Sequence, residues 1–158
     1  MNSKMMKSIF RVVEPNIRII LAKSNKSLAN FAYSTNGTNI GNVDFNFVKR
    51  ISETKVTDKL LIDVRTAEEL QETGEIPGSI NIEGDVLCKV LGDSTSRSEF
   101  CDLFGRTKPS TSTQLIFTCR SGKRARKSAE QAIHLGYTNV WVYEGSWTDW
   151  QTKMKELN

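Results

Sequence analysis

From about residue 40 onward, short apolar runs alternate with stretches in which apolar side chains recur at three- and four-residue spacing. A short run rich in branched side chains suits a strand buried on both faces. The wider spacing suits a helix with one face turned inward. On this reading Asp44 caps a short helix from about Phe45 to Ile51, with Phe47, Val48 and Ile51 on one side. Leu60-Leu61-Ile62 is a buried strand that ends in Asp63-Val64-Arg65. Thr66 and Glu69 have the spacing of a capping box, so a helix starts at once, runs to about Thr73 and stops at Gly74. After the Ile76-Pro77-Gly78 turn, residues 79–82 read as another strand, followed by helical pieces near 85–91 and 97–104, the second ended by Gly105. Gln114 to Thr118 is a strand that leads directly into Cys119. Ala125, Ala129, Ala132 and Ile133 then mark a helix that stops at Gly136, and Val140 to Tyr143 is the last strand. Strands alternating with helices predict an α/β domain with a mainly parallel sheet flanked by helices.

Charge is segregated along the chain. Residues 1–36 hold six basic groups against the single acid Glu14, whereas the remainder holds 16 basic and 17 acidic residues. The folded part is therefore close to neutral, and the whole-chain net charge of +4 does not imply a nucleic-acid partner. In the leader, Ile9, Val12, Val13, Ile17 and Ile20 would give a helix one apolar face amid Lys, Arg, Ser and Asn, as in a mitochondrial presequence. The expected organisation is a cleavable leader over 1–36 and one folded domain over 37–158. No run of 18 apolar residues supports a membrane span. The three cysteines, Cys88, Cys101 and Cys119, form neither a disulfide framework nor a zinc motif.

Chemistry concentrates in one loop. Cys119 stands at the carboxyl end of a predicted strand, where open α/β sheets bind ligands. It opens the loop Cys119-Arg120-Ser121-Gly122-Lys123-Arg124, in which Gly122 allows backbone angles closed to other residues. Inward-turned amides, the start of the next helix and the three basic side chains favour the nucleophilic thiolate. Cys88 and Cys101 lack such surroundings and are expected to be buried structural thiols in helices. His134, the only histidine, is expected at the surface or in packing, without a role beside Cys119.

The stretch 61–65, the Gly74 to Ile82 segment with its Ile-Pro-Gly turn, the cysteine loop and the ending Tyr143-Glu144-Gly145-Ser146-Trp147 together resemble the rhodanese family. The resemblance spans roughly residues 40–152, and it departs from the family in having Glu75 where histidine commonly precedes the isoleucine. It implies a rhodanese-like three-layer fold and a thiosulfate sulfurtransferase. Cys119 would accept sulfur as a persulfide, the amides from Arg120 to Arg124 would cradle it, and Arg120, Lys123 and Arg124 would orient the anionic donor. Asp63 and Arg65 would support the site structurally, and Trp147 would wall the pocket. No metal or organic cofactor is implied; the acceptor would be a thiol such as glutathione, a protein cysteine, or cyanide. Two rivals stand beside this: a non-enzymatic sulfur-carrier or interaction module, and a phosphatase or arsenate reductase of the same fold. The related phosphatases carry arginine at the sixth position after the nucleophile, where this chain has Ala125. The leader yields the first prediction. Residues 1–36 fused to a fluorescent protein should deliver it to mitochondria, with the matrix expected from the presequence character of the segment; cytosolic fluorescence would contradict the reading.

Overall fold

The computed structural model describes residues 40–54 and 58–157; the leader expected over 1–36 lies outside the described residues. The strands are β1 (Gly41–Val43), β2 (Lys59–Asp63), β3 (Ile80–Asn81), β4 (Gln114–Thr118) and β5 (Val140–Tyr143). The helices are α1 (Phe45–Glu53), α2 (Ala67–Thr73), α3 (Leu87–Leu91), α4 (Arg97–Phe104), α5 (Lys123–His134) and α6 (Ser146–Glu156). Every strand pairing is parallel, and the order is β1-β5-β4-β2-β3. Among the described residues no helix is long and apolar enough to cross a membrane.

The predicted starts and stops are made as the side-chain chemistry requires. The Asp44 carboxylate accepts from the Phe47 amide at 2.8 Å and begins α1, which continues two residues beyond Ile51. Thr66 and Glu69 form the reciprocal capping box of α2, and Gly105 closes α4 in the left-handed conformation. Strands β4 and β5 have the predicted bounds. Two elements were not anticipated. Edge strand β1 is only three residues long and too short for a periodic signal, and α6 was not distinguished from the loop after β5.

Side chains alternate across the sheet and fill two apolar layers. Ile62, Leu115, Phe117 and Val142 face α3, α4 and α5, which supply Leu87, Phe100, Ala125, Ala129 and Ala132. Leu61, Ile116 and Tyr143 face the other way, towards Phe45 and Val48 of α1 and Trp150 of α6. The fold is thus a three-layer α/β sandwich, as expected. Cys88 and Cys101 are a correction: both lie on helices as predicted, but both are exposed. Their neighbours Leu87, Val90 and Leu91 on α3, and Phe100 on α4, take the inward positions and turn the thiols outward. His134 is exposed in the last turn of α5, and Glu75 is exposed before the fully buried Ile76.

Arg65 and Asp63 are buried together at the end of β2. Nε and Nη2 of Arg65 donate to the Asp63 carboxylate, Nη1 donates to Thr73 Oγ1 at 2.8 Å, and Nη2 donates to the Gly74 carbonyl at 2.9 Å. The Arg65 backbone amide also donates to Asp63 Oδ1. A charge so enclosed is tolerable only with its counter-charge and its hydrogen bonds complete. Arg65→Met, which strands the Asp63 carboxylate, is therefore expected to lower the unfolding free energy by about 3–5 kcal/mol. A urea titration showing a loss below about 1 kcal/mol, as for an exposed pair, would contradict this account.

Candidate active site

Strand β4 delivers Cys119 to the carboxyl edge of the sheet, with the residue 1 % exposed. Its Sγ accepts a hydrogen bond from the Gly122 amide at 3.1 Å, so the loop does turn an N–H group inward towards sulfur. Glycine is needed there twice over. Gly122 has φ of +86°, and a Cβ at this position would stand 2.4 Å from the Glu144 carbonyl oxygen.

The loop is held from outside by the start of α6. Trp147 N donates to the Cys119 carbonyl at 3.0 Å, and Thr148 gives the Arg120 carbonyl two bonds, from its amide at 3.1 Å and its hydroxyl at 2.9 Å. Ser146 Oγ accepts from the Cys119 amide at 3.1 Å, donates to the Tyr143 carbonyl at 2.8 Å, and lies 3.9 Å from Sγ. Ser146 has φ of +53°, a conformation that costs about 1–2 kcal/mol for a non-glycine residue. These side-chain bonds help hold it. Ser146 and Thr148 were missed as site residues. The available signal was the spacing of Trp147, Trp150 and Met154 after Gly145, which suits one face of a helix.

The basic residues of the loop do not act as one group. Arg120, Ser121 and Lys123 are exposed around it, and Arg120 has no ion-pair partner among the described residues. Arg124 instead forms a two-pronged pair with Glu69 of α2, at 2.6 and 2.7 Å. The Arg124 hydrogen bonds hold the Glu69 carboxyl down at about 2, with further help from the Thr66 amide. Glu69 in turn raises the Arg124 pKa above its ordinary value, with the charge at Cys119 a smaller contributor. Trp147 is half-buried, and its ring lies 4.8 Å from the Arg65 guanidinium carbon, in cation–π contact. It therefore joins the loop clamp to the buried Asp63–Arg65 pair. Among the described residues no cluster of three or more His, Cys, Asp or Glu side chains is placed to hold a metal.

The profile of the Rhodanese-like domain family matches residues 46–153. A rhodanese domain-containing protein of Drosophila melanogaster is 49% identical over 96 residues, covering 61% of this chain and 85% of its own length. The thiosulfate sulfurtransferase RDL2, mitochondrial, of Saccharomyces cerevisiae is 36% identical over 109 residues, covering 69% of this chain and 71% of its own. The crystal structure of RDL2 superposes with a TM-score of 0.63 at 33% identity, covering 73% of this chain and 92% of that one. A thiosulfate:glutathione sulfurtransferase of the same yeast is 34% identical over 119 residues, covering 74% and 82% of the two chains.

The Glu69–Arg124 pair sets a pH window. Because the folded carboxyl is depressed from 4.5 to about 2, its stabilisation is complete above pH 4.5 and is lost as pH falls through that range towards 2. Glu69→Gln should flatten this part of the stability-versus-pH curve while leaving its shape near neutrality unchanged. Parallel urea titrations of the two proteins across the acid range would check it, and identical acid slopes would contradict the assignment.

Proposed function

Because the chain belongs to the rhodanese family and is a sulfurtransferase, we propose that Cys119 carries sulfur as a persulfide from thiosulfate to a thiol such as glutathione. The observation that carries this reading is the Gly122 amide aimed at Cys119 Sγ from a loop fixed on its outer side by Trp147 and Thr148. A donor held in place stabilises negative charge on sulfur without reorganising during the reaction. In the first half, the Cys119 thiolate attacks the outer sulfur of thiosulfate. The S–S bond of thiosulfate breaks, its electron pair leaves with sulfite, and Cys119 keeps a persulfide anion. In the second half, an acceptor thiolate attacks the outer persulfide sulfur, the bond to Cys119 breaks, and the enzyme thiolate is restored. Atoms and charge balance in each half with no external oxidant or reductant.

Exposed Arg120 and Lys123 are suited to draw in the dianionic donor, whereas Arg124 acts mainly through Glu69 to brace the loop. Ala125, at the position where the related phosphatases have arginine, is fully buried in the core and carries no charge to meet a phosphoryl group. The sulfurtransferase reading is favoured over a phosphatase on that ground. A mitochondrial location is supported by the basic leader together with the name of RDL2.

Intact-mass measurement before and after thiosulfate tests the central step. One sulfur should be gained, be removed by glutathione, and be absent in Cys119→Ser, while Cys88→Ser and Cys101→Ser load normally. An unchanged mass, or a gain that survives in Cys119→Ser, would overturn the proposal.

A further inference from the structure

Beside the loop lies an open groove of about 550 Å³, within the usual range for small-molecule sites. Gly122 and Lys123 form its loop end, and Arg126, Lys127 and Glu130 of α5 continue along it, with Glu144 opposite. Arg126 is already neutralised by Glu144 at 2.7 Å. Among the described residues Lys123, Lys127 and Glu130 have no ion-pair partner, so the groove presents two available cations and one available carboxylate. The four- and three-residue steps between them place all three on one stripe of the helix. At 1.5 Å per residue, Lys123 and Glu130 are about 10 Å apart along the axis, the length of an extended tripeptide.

Resting on the persulfide reading above, we infer that this groove seats the sulfur acceptor, a small peptide thiol bearing two carboxylates and one ammonium. Lys123 and Lys127 receive the carboxylates and Glu130 the ammonium. Ser121 and Gly122 of the cysteine loop line the groove, and the Gly122 amide donates to Cys119 Sγ, so a thiol seated there lies beside the sulfur-carrying loop. Thiosulfate is too short to span the three charges, so Lys127 and Glu130 serve the acceptor alone while Lys123, next to the loop, is shared with the donor. The transfer is the second half-reaction already written: a bond forms between the peptide thiolate and the outer persulfide sulfur, the Cys119 bond breaks, and a peptide persulfide leaves.

The test uses the full chain, loaded with thiosulfate and then discharged by glutathione or by 2-mercaptoethanol in quenched single-turnover mixing. Lys127→Glu should load normally and raise the half-saturating glutathione concentration by about three- to tenfold, as expected for reversing an exposed charge contact. Discharge by uncharged 2-mercaptoethanol should be unchanged. Glu130→Gln should weaken glutathione but not its N-acetyl derivative, which lacks the ammonium. Equal effects on both thiols, or no effect on glutathione in either variant, would overturn the groove assignment while leaving the sulfurtransferase reading intact. Failure of the unsubstituted protein to load sulfur would instead overturn that reading and the groove with it.

Discussion

A guanidinium enclosed at the end of β2 ties together three parts of the chain that are distant in sequence. Arg65 is neutralised by Asp63, hydrogen-bonds the end of α2 through Thr73 and Gly74, and lies beneath the ring of Trp147 at the start of α6. Each of these groups satisfies part of a charge that could not otherwise remain out of water. The arrangement fixes where α2 ends and where α6 begins, and both helices contact the cysteine loop. Glu69 of α2 grips Arg124, and the Trp147 and Thr148 amides grip the carbonyls of Cys119 and Arg120.

Rigidity at the Cys119 sulfur follows from this bracing. The loop has few residues in which to turn from a buried strand into a helix. It does so through Gly122 at positive φ, packed against the Glu144 carbonyl where no side chain fits. Ser146, itself at positive φ, binds the Cys119 amide. Backbone strain of this kind persists where surrounding contacts over-determine it. Here those contacts also define where the sulfur sits.

The electrostatics are divided more finely than a count of basic residues suggests. Arg124 is saturated by Glu69 and Arg126 by Glu144, while Arg120, Lys123 and Lys127 remain available at the surface. Charges engaged in internal pairs hold the loop, and the exposed ones are left to meet ligands. Exposed Cys88 and Cys101 stand apart from the loop on the outer sides of α3 and α4.

Most of the layered fold was legible in the chain because its signals are local. The runs Leu60 to Asp63 and Gln114 to Thr118 announce buried strands, Thr66 with Glu69 caps its own helix, and Gly105 ends one by its own conformational freedom. Cys119 at a strand end, followed by a glycine-containing basic loop, was readable for the same reason. Edge strand β1 was too short for periodicity to distinguish, and the outward turn of Cys88 and Cys101 depended on which neighbours claimed the core. The partner of Arg124 lies 55 residues earlier, and the groups binding Cys119 and Arg120 lie 27 and 28 residues later. Local composition therefore determined the strands, the helix ends and the position of Cys119 at a strand end. Only the tertiary structure decided which charges are paired and which backbone groups hold the sulfur, because hydrogen bonds and ion pairs require ångström-scale proximity that separation along the chain does not encode.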